Sequence, residues 1–106
     1  MKLGIIIYST DAEVVFNAIR LANFSLKEKD DVRLFLLASG VEYENLHSIQ
    51  FPIIDLAQSF LDDGGRIMAC GTCLKLRQKD GTEMCPLSSM KDLYELVRDC
   101  DKTLTF

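Results

Sequence analysis

The chain has 106 residues, of which 48% are hydrophobic and 26% are charged, and its formal net charge at pH 7 is -4. A chain of this length is expected to form one domain over residues 1–106 that needs neither disulfides nor a metal to fold. The acidic balance argues against nucleic-acid binding as the main activity, and the apolar runs are too short for a membrane span or a signal peptide. We therefore expect a cytoplasmic protein with no nucleic-acid partner and no membrane partner.

The first half of the chain alternates between strand and helix patterns. Residues 2–8 and 32–38 are short, continuous apolar runs, which are typical of inner strands in a parallel sheet. Between them, apolar side chains recur at three- and four-residue steps over residues 11–28, and this spacing predicts an amphipathic helix. Residues 39–50 lack a firm periodicity, so we expect a loop with no more than one helical turn, and a solvated His47 within it.

The second half continues the alternation. Pro52 begins a second amphipathic helix, which Gly64-Gly65 ends, and residues 66–69 form a third strand. A short helical segment over 70–78 precedes a turn, Ser88-Ser89 caps a last helix, and residues 103–106 form a terminal strand. The pattern predicts a single three-layer α/β/α domain with a mostly parallel sheet of about five strands.

The carboxyl ends of the predicted strands are the expected location of the functional site. In parallel α/β sheets, ligands bind beyond these ends, so the important residues should follow Tyr8, Ala38 and Ala69. The residue that follows Ala69 is a cysteine, the first of four in the chain.

That cysteine begins the motif Cys70-Gly71-Thr72-Cys73, which lies where the third strand passes into a helix. A thiol at the start of a helix lies near unpaired N–H groups that favour its thiolate, and the thiolate is the form that attacks sulfur. Gly-Thr is a turn sequence, and Gly71 allows a substrate to approach the backbone closely.

Basic residues and a third cysteine follow the motif. Lys75, Arg77 and Lys79 come within ten residues of Cys70 and are expected to raise the local positive potential. Cys85 lies in a loop and would act as a resolving thiol if that loop folds over Cys70.

Four chemistries compete for these cysteines. A thioredoxin-type dithiol is disfavoured because the motif comes late in the chain and only Pro86 follows it. A zinc or iron–sulfur site would use Cys70 and Cys73 with Cys85, and with or without Cys100, yet no second C-x-x-C is present, so we expect neither a metal nor another cofactor. Packing alone suits Cys100 better than the Cys70 pair. The fourth possibility is sulfur carriage as a persulfide.

Residues 63–77, DGGRIMACGTCLKLR, resemble the DsrE/DsrF-like family, whose small α/β domains include subunits of bacterial sulfur-relay complexes. In architecture the resemblance covers nearly the whole chain, including the terminal strand. It implies that Cys70 is the sulfur-accepting cysteine, that Arg77 is the family's helix arginine, and that Cys73 is a second cysteine found in some branches. The sequence departs from the family at Gln78, where a glycine is usual.

A surface cysteine with no evident acid–base set suits relay better than turnover of a small molecule, so we expect sulfur donor and acceptor proteins as partners. The resemblance also implies a homo-oligomer such as a trimer or hexamer. We therefore predict a sulfur carrier of the sulfurtransferase type, with Cys70 as the nucleophile and Cys73 as the second thiol. Gly71, Thr72, Lys75, Arg77 and Cys85 are the supporting residues. The alternative is a non-enzymatic oligomeric module whose cysteines bind a metal or only pack.

Overall fold

Five parallel strands form a single sheet in the computed structural model, which describes residues 1–106. The strands are β1 (Lys2–Ile7), β2 (Asp31–Leu36), β3 (Arg66–Cys70), β4 (Leu87–Ser88) and β5 (Lys102–Thr105). The helices are α1 (Ala12–Lys27), α2 (Ile53–Asp62), α3 (Gly71–Leu76) and α4 (Met90–Asp99), with a 3₁₀ segment at Ala38–Leu46.

The strand order is β4-β3-β2-β1-β5, and every neighbouring pair is parallel. The register of the three inner strands aligns Ile5 with Leu34 and Leu34 with Ile67, so their buried residues lie side by side. The predicted α/β class and the sheet of about five strands are confirmed.

The helices cover the two faces of this sheet. The chain passes from β1 to β2 to β3 in one direction, so α1 and α2 lie on the same face, where they pack against each other. It then reverses direction to reach β5, and α4 crosses the opposite face. There Gly4 of β1 leaves room for the side chains of Leu96 and Cys100.

Local signals at the helix ends explain several of the correctly predicted elements. The Asp11 carboxylate accepts the N–H groups of Glu13 and Val14 at 2.9 and 3.1 Å, which caps α1. Ser89 and Asp92 form a capping box at the start of α4. Gly64, with φ of 95°, ends α2 in the left-handed conformation that glycine adopts easily.

Two elements differ from the sequence-based expectation. Residues 39–50 were predicted to be mostly loop, but the 3₁₀ segment runs from Ala38 through Leu46, kinks at Glu42 and buries Val41 and Tyr43. Strand β4 was not predicted, because two residues are too short to carry a periodicity.

His47 was expected to be solvated, and it is exposed. Its ring nevertheless forms a hydrogen bond to the start of α2. The Nδ1 atom of His47 accepts the N–H of Ile54 at 3.0 Å. Pro52 is the N-cap residue of α2 and its side chain has no acceptor, so His47 supplies the hydrogen bond that caps the helix. None of the helices has the length and apolar character that crossing a membrane would require.

Candidate functional site

Cys70 ends β3 and is also the N-cap residue of α3. Its side chain sits at the carboxyl edge of the sheet, where only 6% of the residue is exposed. The Sγ atom accepts the backbone N–H of Cys73 at 3.4 Å. The structure thus places this thiol at the strand end, where it accepts one N–H group of the helix start.

Cys73 lies in the first turn of α3 and is more exposed than Cys70. Its Sγ atom accepts the backbone N–H of Ala38 at 3.2 Å, which connects the end of β2 to α3. Ala38 has a φ of 52°, in the left-handed region that costs a residue with a side chain about 1–2 kcal/mol. The turn after β2 thus holds a strained residue whose N–H points at a sulfur atom.

The pKa of Cys73 lies above that of an ordinary thiol. Burial is the main cause, and the neighbouring Cys70 thiol raises the pKa further, whereas the Ala38 N–H and the charge of Arg77 lower it. The proton therefore stays on Cys73 at neutral pH.

Arg77 joins α3 to the 3₁₀ segment. Its Nη1 donates to the carbonyl of Cys73 at 3.0 Å, and its Nη2 donates to the hydroxyl of Ser39 at 3.2 Å. Its Nε lies 3.7 Å from Oε2 of Glu42, and the Nζ of Lys79 lies 3.9 Å from Oε1 of the same carboxylate. Arg77 thereby orients the helix that carries Cys73, in addition to placing a positive charge near its thiol.

The other predicted residues of the motif face away from this cluster. Thr72 and Lys75 are exposed and line a groove of about 430 Å³ that borders β4 and the start of α4. Gly71 is buried, and a Cβ atom there would lie 2.8 Å from the carbonyl oxygen of Ser88. The missing side chain of Gly71 makes room for the neighbouring backbone.

The remaining cysteines lie in separate surroundings. Cys85 is buried, its thiol donates to the carbonyl of Val41 at 3.5 Å, and burial raises its pKa to about 11. It lines a cavity of about 370 Å³ with Leu74 and residues of the 3₁₀ segment. Cys100 caps the end of α4 and packs partly buried beside Gly4.

All four cysteines are free thiols, and no group of three or more His, Cys, Asp or Glu side chains is arranged to hold a metal. The zinc or iron–sulfur arrangement considered from the sequence, with Cys85 and Cys100 as added ligands, is therefore not formed. Of the predicted site residues, the structure joins Cys70, Cys73 and Arg77 in one cluster.

Three residues of this cluster were not assigned to it from the sequence: Ala38, Ser39 and Glu42. The rule that sites follow the carboxyl ends of strands did point to the position after β2. The contribution of Ala38 is a backbone N–H, which no side-chain pattern reports.

Comparison with known proteins identifies relatives along the whole chain. The model of the DsrE/DsrF-like family matches residues 1–106. Uncharacterized protein MJ0989 of Methanocaldococcus jannaschii is 32% identical over an alignment 116 positions long, which covers 100% of both chains. Uncharacterized protein MK0008 of Methanopyrus kandleri is 29% identical over 100 residues, which cover 89% of this chain and 83% of that protein.

Two solved structures have the same fold. The crystal structure of the ychN protein from E. coli superposes with a TM-score of 0.83 at 22% identity and covers 100% of both chains. The conserved protein of unknown function BT1422 from Bacteroides thetaiotaomicron superposes with a TM-score of 0.78 at 20% identity, over 99% of this chain and 94% of that one.

Proposed function

This chain belongs to the DsrE/DsrF-like family, and from that premise we propose that it carries sulfur as a persulfide on Cys70 and transfers it to a protein partner. The fold is of the sulfur-relay type in general. The observation that carries the proposal is the position of Cys70 at the carboxyl edge of the sheet, with its Sγ accepting the N–H of Cys73 at 3.4 Å. The thiol is the nucleophile of the proposed exchange, and this contact fixes its position at the strand end.

Loading and unloading are thiol exchanges that need no outside oxidant. The Cys70 thiolate attacks the outer sulfur of a donor persulfide, the donor's S–S bond breaks, and the donor leaves as a thiolate while Cys70 becomes a persulfide. An acceptor thiolate then attacks the outer sulfur on Cys70, and Cys70 leaves as the thiolate.

Cys73 is the second thiol of this proposal. Because its pKa is raised, Cys73 releases its proton less readily than an ordinary thiol and competes weakly for the incoming sulfur. When no acceptor arrives, Cys73 loses its proton to solvent and attacks the inner sulfur of the persulfide, which forms a Cys70–Cys73 disulfide and releases hydrosulfide. Arg77 acts as a positioning residue, since it fixes the carbonyl of Cys73 and the hydroxyl of Ser39.

We also propose that donor and acceptor are proteins, because the carboxylate of Glu42, the one acid–base group of the cluster besides the thiols, is paired with Arg77 and Lys79 and is not free to turn over a small molecule. Free thiols and persulfides persist in a reducing compartment, which supports the cytoplasm as the location. Exposed Met90, Tyr94 and Val97 share one face of α4, and a face of this kind supports assembly into a homo-oligomeric ring, a trimer or a hexamer.

The test is to incubate reduced protein with a low-molecular-weight persulfide and then to analyse its peptides by mass spectrometry. We expect a gain of one sulfur on the peptide that contains Cys70. Cys70→Ser should abolish the gain, whereas Cys100→Ser, which removes a partly buried thiol outside the cluster, should retain it. If Cys70→Ser gains sulfur as readily as the parent protein, the assignment of Cys70 is wrong.

A further inference from the structure

Each of the two thiols at the sheet edge accepts a hydrogen bond from a backbone N–H group. Cys70 Sγ accepts the N–H of Cys73 at 3.4 Å, and Cys73 Sγ accepts the N–H of Ala38 at 3.2 Å. Hydrogen bonds of this kind strengthen when the acceptor becomes an anion. Each sulfur therefore has its own backbone donor for a bound state in which both cysteines are thiolates.

The same cluster offers two soft ligands and no more. Cys85 donates to Val41, Cys100 packs beside Gly4, and His47 accepts the N–H of Ile54. No group of three or more His, Cys, Asp or Glu side chains is arranged to hold a metal. Structural zinc and iron–sulfur sites use four protein ligands, so this pair does not suit them.

Cu(I) is the biological ion that a pair of thiolates does suit, because it is soft, prefers sulfur and accepts two-coordinate geometry. We propose that Cys70 and Cys73 bind one Cu(I) ion between them as a two-coordinate bis-thiolate. Binding replaces both thiol protons, which pass to solvent, and no electron is transferred. This activity is additional to sulfur carriage and does not depend on it.

Charge and exposure at the cluster agree with a site that exchanges its ion. The bis-thiolate complex has a net charge of minus one, which the neighbouring Arg77 guanidinium and the two backbone donors partly compensate. Cys70 is 6% exposed, whereas Cys73 is only partly buried. An incoming thiolate therefore reaches the ion from the more exposed side of Cys73, while Cys70 binds the ion on its buried side.

The test is an anaerobic competition between the reduced protein and bathocuproine disulfonate, a chromophoric Cu(I) chelator. We expect the parent protein to withdraw one equivalent of copper per chain. Cys70→Ser and Cys73→Ser should each weaken binding by at least about 100-fold, since even loss of an outer-shell partner costs 10–100-fold. Cys100→Ser is the matched control and should bind as the parent does. Parent-like binding by either cluster variant, or no withdrawal by the parent, would overturn the proposal.

X-ray absorption on the copper-loaded parent protein is a second measurement that needs no variant to fold. We expect two sulfur neighbours around copper, and three or more would contradict the two-coordinate site. Copper-loaded protein should also take up no sulfur on Cys70, because both thiolates are occupied. Copper binding without any sulfur uptake by the metal-free protein would refute the proposed function alone, and sulfur uptake without copper binding would refute this inference alone.

Discussion

Replacing Arg77 with methionine tests whether this side chain positions the thiol cluster. Methionine keeps most of the aliphatic volume but removes the donors to the Cys73 carbonyl and the Ser39 hydroxyl, and the ion pair with Glu42. The side chain of Arg77 is 26% exposed, so these interactions are partly shielded from water.

The expected loss of stability follows from these contacts. Hydrogen bonds from a charged donor contribute about 1.5–3 kcal/mol when buried, and less at this exposure. The ion pair adds between about 0 and 1 kcal/mol. We expect a total of about 1–3 kcal/mol, and at about 4 °C per kcal/mol for a chain of this size the Tm should fall by about 4–12 °C.

The substitution should also change the reactivity of Cys73. Arg77 lowers the pKa of this thiol against the larger effect of burial, so its removal should raise the pKa further. Alkylation by iodoacetamide requires the thiolate, and the pH profile for Cys73, followed by mass spectrometry, should therefore move to higher pH in Arg77→Met.

Lys75→Met is the matched control for both measurements. Lys75 lies on the same helix, is exposed and forms no ion pair, so we expect a Tm within about 2 °C of the parent protein and an unchanged alkylation profile. A parent-like Tm and pH profile in Arg77→Met, or equal effects in Lys75→Met, would refute the positioning role.

Three further substitutions test other parts of the structure. Gln78 has a φ of 55° just after α3, so Gln78→Gly should stabilise the protein by about 0.5–1 kcal/mol in urea unfolding; a lower midpoint would contradict the left-handed turn. Gly71→Ala would bring a Cβ atom to 2.8 Å from the Ser88 carbonyl oxygen and should cost about 1–3 kcal/mol. An unchanged thermal transition would mean that β4 does not pack against Gly71 as described. Tyr94→Glu should reduce the mass measured by light scattering, because it places a charge on the exposed apolar face of α4; a parent protein that is already monomeric would remove the case for the ring.

The sequence predicted the parts of the fold that long patterns encode. The apolar runs of β1 and β2 and the helical period of α1 each span six residues or more, so their periodicity is clear. The 3₁₀ segment has no such period, because its geometry depends on tertiary contacts of Val41 and Tyr43. Strand β4 consists of two residues and is defined only by its pairing with β3.

The site was predictable to the extent that side chains define it. The position of Cys70 followed from the rule about strand ends, and Arg77 lies four residues after Cys73, on the same side of the helix. Lys75 lies two residues after Cys73, so the two side chains lie on different faces of the helix. The spacing alone could therefore have separated Lys75 from Arg77. The N–H of Ala38 depends on a left-handed residue, which the sequence of a turn does not reveal when that residue is alanine.

The most direct test of sulfur carriage is the state of Cys70 in protein taken directly from cells. Free thiols should be blocked at lysis, and the Cys70 peptide should then be examined by mass spectrometry for bound sulfur. The account predicts a persulfide on Cys70 in part of the protein, with Cys85 and Cys100 unmodified. A Cys70 peptide that never carries the additional sulfur, while cellular sulfur donors are abundant, would contradict it.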